Sequence, residues 1–153
     1  MFATRTHRVS RTRQAALRRI PMFAELSPAE LARIASQMAE IEVPAGSTLM
    51  TEREHGREAL IIADGLAEIS IDGRPVSSVS AGDLVGEVAL LDSGPRTATV
   101  TALTNLRVYV LDPRQFSILF ESPQSARWIA TELARRLREL AEHSRTASGV
   151  LVS

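Results

Sequence analysis

The residues best suited to chemistry lie in one stretch, residues 82–100, where a carboxylate and a guanidinium flank a short apolar segment. Gly86 and Glu87 begin that segment, and a helix N-terminus presents free backbone N–H groups that attract anions. The guanidinium of Arg96 can hold two phosphate oxygens at once. The carboxylate of Glu87 can accept a hydrogen bond from a hydroxyl, and Gly86 lets the backbone approach a ligand closely. A ligand with both a phosphate and a sugar hydroxyl suits this arrangement.

Two motifs in this stretch resemble the phosphate-binding cassette of the cyclic nucleotide-binding domain family. That cassette typically reads Gly-Glu, two or three small or apolar residues, a variable turn, and then Pro-Arg-Thr/Ser/Ala-Ala. The sequence has Gly-Glu-Val-Ala-Leu at 86–90 and Pro-Arg-Thr-Ala-Thr-Val at 95–100. A lone Gly-Glu pair is a weak signal, whereas the two motifs on either side of a short apolar helix form a specific one.

The resemblance implies a role for each residue of the cassette. Arg96 takes the cyclic phosphate, and Glu87 takes the ribose 2′-hydroxyl. Backbone N–H groups of Gly86, Val88 and Ala89 add to the phosphate contact. The implied ligand-binding residues are Val85, Gly86, Glu87, Val88, Ala89, Pro95, Arg96, Thr97, Arg136, Leu137 and Leu140. The alternative interpretation is a purely structural role, in which Arg96 and Glu87 form an ordinary surface ion pair at a turn.

Thr97 bears on the choice of base. Its hydroxyl can reach the phosphate or the base, including the amino group of guanine, or Thr97 is simply a β-branched strand residue. The resemblance therefore implies cyclic AMP as the preferred ligand, with cyclic GMP also bound. Leu60, Leu84 and Val85 are candidates for the walls around the ribose or base, and equally for the core.

The elements that must position these residues are short strands. Apolar runs of a few residues follow one another from Ile41 to Leu111, separated by turn signals such as Asp64-Gly65 and Asp72-Gly73. About eight short strands at this spacing predict a jelly roll or barrel. The predicted fold is mainly β, an eight-stranded β jelly roll (double-stranded β-helix) with N-terminal helices and a C-terminal helix pair.

Capping signals predict the helices on either side of the roll. A short helix is predicted over Ala15 to Ile20, and the capping box Ser-Pro-Ala-Glu at 27–30 predicts another from about Pro28 to Ala39. Asp-Pro at 112–113 and Ser-Pro at 122–123 begin the C-terminal pair. The last helix carries an apolar stripe at Ile129, Leu133, Leu137 and Leu140. By resemblance, its second half closes over the base as a hinge helix, with Leu137 or Leu140 on the base face and Arg136 near its edge or an acidic neighbour.

The resemblance covers about Leu17 to Leu140, with two departures. Arg53 stands where the family usually has Gly in a Glu-Gly-Glu turn, and Val85 replaces a commoner Phe. Both departures are expected to affect packing more than ligand binding.

Composition narrows the class of protein. The 153 residues are 44% hydrophobic, without Cys, which suits one globular domain in a reducing compartment. The first 19 residues contain six Arg and no acid, and the other 134 contain twelve Arg and eighteen acids. The body is therefore acidic, and local donors must attract an anion. No apolar run is long enough to span a bilayer, and no signal peptide is present, so a cytoplasmic location is expected.

The chain is predicted to divide into a basic flexible segment (1–14), a cyclic nucleotide-binding domain (15–145) and a flexible tail (146–153). Residues 1–14 are interpreted as a solvated linker, the alternative being an arm that contacts nucleic acid. Too few residues follow Leu140 for a DNA-binding module, so the domain is expected to act on a protein partner or a fused effector, with a homodimer through the last helix as an option.

Two rival functions are left open. One is an interaction module of the same fold that has lost the ligand. The other is an enzyme, which has little support because the three His are scattered without metal-ligand spacing. The sequence also has no nucleophile elbow or Walker loop. No enzymatic activity and no metal are therefore expected.

Overall fold

The structure is a computed structural model that describes residues 3–5 and 11–148. In this part of the chain, nine strands form two antiparallel sheets, with helices before and after them. The strands are β1 (Ala3–Arg5), β2 (Ala39–Val43), β3 (Thr48–Met50), β4 (Ala59–Asp64), β5 (Leu66–Ile71), β6 (Arg74–Ser80), β7 (Leu84–Val85), β8 (Thr99–Ala102) and β9 (Leu106–Leu111). The helices are α1 (Arg11–Arg18), α2 (Pro28–Gln37), α3 (Glu87–Asp92), α4 (Pro113–Leu119) and α5 (Pro123–Ser148), with a 3-10 turn at Pro21–Phe23.

The two sheets form the roll. One has the strand order β1-β2-β9-β4-β7, and the other has the order β3-β8-β5-β6. All pairs in both sheets are antiparallel, and β5 and β6 form the hairpin that Asp72-Gly73 predicts. The predicted mainly β fold with flanking helices is confirmed.

Strand β4 shows how the core is divided. Its residues Ala59 to Ile62 are all buried, because the strand lies in the middle layer of the molecule. Leu60 and Ile62 face the cluster between the two sheets, whereas Ala59 and Ile61 face a second cluster formed with the helices. Because successive side chains of β4 point to opposite faces of the sheet, this one strand contributes to both apolar clusters.

The helices meet on the outer face of the five-stranded sheet. Phe23, Leu31 and Ile34 are buried there together with Leu119 of α4 and Ile129 of α5. The predicted capping box at Ser27 is present, since Ser27 Oγ accepts a hydrogen bond from Glu30 N and Glu30 Oε2 accepts one from Ser27 N. Asp112 caps α4 in the same way through Gln115. The predicted C-terminal helix pair is α4 and α5.

The N-terminal region differs from the prediction. Ala3–Arg5 pairs with β2 as a ninth strand, although the prediction treated residues 1–14 as a flexible segment and expected about eight strands. Helix α1 covers Arg11–Arg18 rather than the predicted Ala15 to Ile20. It begins earlier than predicted, and it ends earlier because the chain turns at Arg19, before the 3-10 turn. The pairing of β1 depends on the open edge of β2, which local sequence does not reveal. Helix α5 continues to Ser148, and residues 149–153 of the predicted tail lie outside the described part of the chain.

Candidate functional site

Gly86 sets the geometry where β7 passes into α3. Its φ of 85° lies in the left-handed region, which glycine adopts without steric cost. A Cβ at this position would lie 2.6 Å from both Nη1 of Arg96 and Cε of Met50. Glycine is therefore required here for the turn and for the close approach of a guanidinium.

Arg96 lies against backbone rather than against a carboxylate. Its Nη1 donates to the carbonyl oxygen of Gly86 at 3.1 Å, and its Nη2 donates to the carbonyl oxygen of Glu58 at 2.7 Å. A Cβ on Gly56 would meet the guanidinium at 2.2–2.5 Å, so Gly56 provides the flat surface beside it. Burial lowers the pKa of Arg96, opposed by the charges of Glu58 and Glu87, and the group stays cationic.

The backbone of Arg96 is held by a turn that contains Arg53. Arg53 N donates to Arg96 O at 2.9 Å, and Arg96 N donates to Glu54 O at 2.8 Å. Arg53 has a φ of 72°, in the left-handed region that favours glycine. Its guanidinium forms an ion pair with Asp72, whose N–H donates to Glu52 at 3.0 Å. The turn therefore holds Arg53 in a backbone conformation that residues other than glycine rarely adopt, with its side chain paired to Asp72.

Glu87 is the least exposed charged group of the site. Its side chain is 4% exposed, and its Oε1 accepts a hydrogen bond from Nη1 of Arg136 at 2.9 Å. Among the described residues, Glu87 Oε2 has no hydrogen-bond partner, and neither do Nε and Nη2 of Arg136. Burial raises the pKa of Glu87, and the charge of Arg136 opposes that rise. The site therefore holds a buried carboxylate oxygen that still lacks a donor.

A cavity of about 320 Å³ opens beside these groups, a size typical of small-molecule sites. The four-stranded sheet forms its floor, α3 and the segment after it form one wall, and α5 forms the other. The lining residues are Met50, Ile69, Val76, Ser77, Val85, Gly86, Glu87, Val88, Leu91, Arg96, Thr97, Ala98, Val100, Leu133, Arg136, Leu137, Glu139 and Leu140. Most of these side chains are apolar, with charged groups only at a few positions, which suits a ligand with an apolar ring and a polar end.

Helix α5 crosses the cavity through its second half. Arg136 reaches Glu87, and Glu139 Oε2, three residues further along, accepts a hydrogen bond from Ser77 Oγ at 3.1 Å. Leu133 packs on the helical core, whereas Leu137 lines the cavity with 67% of its surface exposed. This part of α5 therefore contacts the roll mainly through polar side chains.

Nine of the eleven predicted ligand-binding residues line this one cavity: Val85, Gly86, Glu87, Val88, Arg96, Thr97, Arg136, Leu137 and Leu140. Pro95 is exposed and lies outside the lining. Ala89 lies in α3, and its side chain is outside the described part of the chain. Leu60 and Leu84 belong to the two cores rather than to the cavity wall. The ligand contacts of all eleven residues stay predictions.

Sequence reasoning missed several residues of the site. In the sequence, Gly56 carries no signal beyond that of a turn, and the carbonyl group of Glu58 carries no side-chain signal. Ser77 and Glu139 meet across 62 positions of the chain, a distance over which no spacing rule applies. The apolar floor was missed because its residues lie in ordinary strands or next to one: Met50, Ile69, Val76, Ala98 and Val100.

Other kinds of site find little support. Within residues 3–5 and 11–148, no cluster of three His, Asp or Glu side chains could hold a metal ion. Among the helices described, none combines the length and the apolar composition that crossing a bilayer requires.

Comparison with known proteins gives the family to which a domain with this fold and cavity belongs. The family model described as "Cyclic nucleotide-binding domain" matches residues 40–122. The chain belongs to this family.

Similar proteins include regulators of several kinds. The chain is 40% identical over 98 residues to a cAMP-dependent protein kinase regulatory subunit of Aspergillus fumigatus, which covers 62% of this chain and 24% of the relative. It is 30% identical over 128 residues to a CRP-like cAMP-activated global transcriptional regulator of Mycobacterium tuberculosis, covering 80% of this chain and 57% of the relative. The chain therefore spans about a quarter of the kinase subunit and somewhat over half of the transcriptional regulator.

Two solved structures of similar fold contain cAMP. A cAMP-bound structure named PfPKA-R has a TM-score of 0.80 at 25% identity, covering 87% of this chain and 46% of that chain. The regulatory domain of Toxoplasma gondii PKA with cAMP has a TM-score of 0.66 at 30% identity, covering 73% of this chain and 46% of that chain.

Proposed function

We propose that the chain binds a 3′,5′-cyclic nucleotide in the cavity between α3 and α5, with cyclic AMP preferred over cyclic GMP. The observation that carries the proposal is the buried Glu87 Oε2, which lacks a donor in the same cavity that Arg96 lines. A ribose 2′-hydroxyl supplies the missing donor, and the cyclic phosphate supplies acceptors for the guanidinium. The names of the similar regulators and solved structures, which refer to cAMP, support the same ligand.

The proposed contacts divide the ligand into three parts. Arg96 and the backbone N–H groups of Gly86, Val88 and Ala89 hold the phosphate, beside Pro95. Glu87 accepts from the ribose. The apolar floor of the cavity takes the purine, and Thr97 lies where its hydroxyl can contact phosphate or base. Because the lining is largely apolar, burial of the ring system adds to the affinity roughly in proportion to the area covered.

The ligand also acts on α5 in this proposal. The ribose donates to Glu87 Oε2 beside the contact of Arg136 with Oε1, and the base meets Leu137 and Leu140 at the mouth of the cavity. A ligand shifts a helix only by its differential affinity for the two positions of that helix. The contacts that the nucleotide adds to Leu137 and Leu140 supply such a difference.

The domain is thus a sensor rather than an enzyme. Its output goes to a protein partner or to a fused effector, and α5 offers the surface through which a homodimer can form. We assign it to the cytoplasm, where nucleotide second messengers are available to it.

One observation favours the alternative, an interaction module of the same fold without a ligand. Two guanidinium nitrogens of Arg96 already donate to backbone carbonyl groups, and Glu87 is already paired with Arg136. Part of the hydrogen-bonding capacity of the site is therefore already used by other groups of the protein. A nucleotide must displace these contacts or share them in order to bind.

Calorimetric titration with cyclic AMP and cyclic GMP decides between the two. The expected result is saturable binding of both nucleotides, stronger for cyclic AMP, and a loss of at least about tenfold in Arg96→Ala, or 1.4 kcal/mol. Arg96→Lys restores only part of this loss, since an ammonium group cannot form the bidentate contact. Arg107→Ala, which removes an exposed Arg from β9, is the matched control and binds normally. Absence of binding to the wild-type protein would favour the ligand-free module.

A further inference from the structure

Two turns on the surface of the roll meet beside the segment that carries Arg96. One is the tip of the β5–β6 hairpin, at Asp72 and Gly73, and the other is the turn over residues 51–54 that follows β3. The backbone N–H of Asp72 donates to both carboxylate oxygens of Glu52, at 3.0 and 3.1 Å. We infer that Glu52 is a positioning residue that holds Arg96 where it can bind the cyclic phosphate, an inference that rests on the proposed nucleotide site.

The hairpin tip offers Glu52 a donor in a fixed place. Asp72 has a φ of 51° and Gly73 a φ of 76°, as in the two-residue type I′ turn, which here joins Ile71 to Arg74. In such a turn the N–H of the first central residue has no acceptor within the hairpin. The carboxylate of Glu52 supplies that acceptor, and a hydrogen bond to a charged acceptor is stronger than one between neutral groups.

Thr99 holds Glu52 from the side of β8. Thr99 Oγ1 accepts a hydrogen bond from Glu52 N at 3.1 Å and donates one to Glu52 Oε1 at 3.4 Å. Thr99 begins β8, three residues after Arg96, so Glu52 connects the hairpin tip with the phosphate-binding segment itself. The ion pair of Arg53 with Asp72 joins the same two turns, but its side chains are 76% and 65% exposed, so it contributes little.

The turn over residues 51–54 extends this attachment to Arg96. Arg53 N donates to Arg96 O at 2.9 Å, and Arg96 N donates to Glu54 O at 2.8 Å, so the backbone of Arg96 is held on both sides of its Cα atom. The proposed site holds the phosphate between the Arg96 guanidinium and the backbone N–H groups of α3. A displaced turn would move the guanidinium relative to those N–H groups and weaken the binding of the phosphate.

Titration of Glu52 variants with cyclic AMP tests this role. Glu52→Ala should bind about fivefold more weakly than the wild-type protein, a loss typical of one coupled contact. Glu52→Gln should stay within about twofold, because the amide oxygen still accepts from the N–H of Asp72. Thr99→Val, which removes the hydroxyl group and keeps a β-branched side chain, should bind about twofold more weakly. Urea denaturation confirms that each variant is folded under the conditions of the titration.

A double-mutant cycle separates positioning of Arg96 from a general effect on the fold. Arg96→Ala leaves no guanidinium to position, so the addition of Glu52→Ala should change its affinity by less than about twofold. Glu68→Ala is the matched control and should bind normally. Glu68 is also a half-buried glutamate, it lies in β5 of the four-stranded sheet, and it does not line the cavity.

Three results would overturn the inference and leave the nucleotide site in place. They are wild-type affinity in Glu52→Ala, a loss in Glu52→Gln as large as that in Glu52→Ala, and a fivefold effect of Glu52→Ala that persists without Arg96. Absence of cyclic AMP binding to the wild-type protein would overturn both the inference and the proposed function.

Discussion

The two halves of α5 are bound to the molecule in different ways. In the first half, Ile129 is buried in the helical core, and Ser125 Oγ donates to Met22 O at 2.8 Å in a buried hydrogen bond. In the second half, Arg136 and Glu139 contact the roll through polar groups while Leu137 stays exposed. Apolar burial holds the first half whatever the cavity contains. The second half of α5 carries side chains that are proposed to contact the ligand. How firmly this half is held therefore depends on whether the ligand is bound.

Truncation of one buried and one exposed apolar residue of α5 should give the largest difference in unfolding free energy between two variants. Ile129→Ala removes a fully buried side chain and is expected to cost about 2–5 kcal/mol of unfolding free energy. Leu137→Ala should stay within about 0.5 kcal/mol of the wild-type protein, because its side chain is exposed. Urea denaturation measures both. A cost for Leu137→Ala close to that for Ile129→Ala would mean that the whole helix is core.

Removal of Arg136 should lower the free energy of unfolding, because the buried carboxylate of Glu87 then lacks its cationic partner. Burial already raises the pKa of Glu87, so the loss of Arg136 raises it further. A carboxyl group with a raised pKa binds more protons in the folded state, so stability falls as pH rises from the ordinary pKa through the folded pKa and then levels off. Arg136→Ala is therefore expected to lose about 1–3 kcal/mol near pH 8 and less near pH 5.

Urea denaturation at the two pH values tests this dependence. Arg138→Ala is the control, because Arg138 is exposed on the same helix and its loss should cost little at either pH. A loss in Arg136→Ala that is independent of pH would show that the ion pair does not govern the ionisation of Glu87.

The smallest effect is expected from Ser77→Ala. This change removes the hydrogen bond to Glu139 and should cost about 0.5–1.5 kcal/mol or less, since both groups are partly exposed. Amide exchange should become faster in the second half of α5 and stay unchanged around Ile129. Faster exchange in both halves would contradict the division of the helix into two differently held parts.

Local signals in the sequence were enough for much of the fold. The capping box at Ser27, the Asp-Gly turn at 72–73 and the paired motifs around Gly86 and Arg96 depend on neighbouring residues, so spacing reveals them. The cavity wall formed by α3 was predicted for the same reason.

The remaining features arise from tertiary packing. Strand β1 forms because β2 offers an open edge, and the Ser77–Glu139 contact exists because of the path of α5 across the sheet. Gly56 carries a turn signal, but its contact with the Arg96 guanidinium follows only from the folded loop. Such contacts join residues that are distant in sequence, and single-sequence patterns do not encode which of them meet.

Amide exchange along α5, measured with and without saturating cyclic AMP, shows whether the ligand holds the second half of this helix. We expect slower exchange over residues 133–140 when the nucleotide is present, because the second half of the helix gains contacts to the ligand. We expect unchanged exchange over residues 125–129, which the core already protects. The same exchange over residues 133–140 with and without bound nucleotide would contradict the proposed action of the ligand on the part of α5 that crosses the cavity.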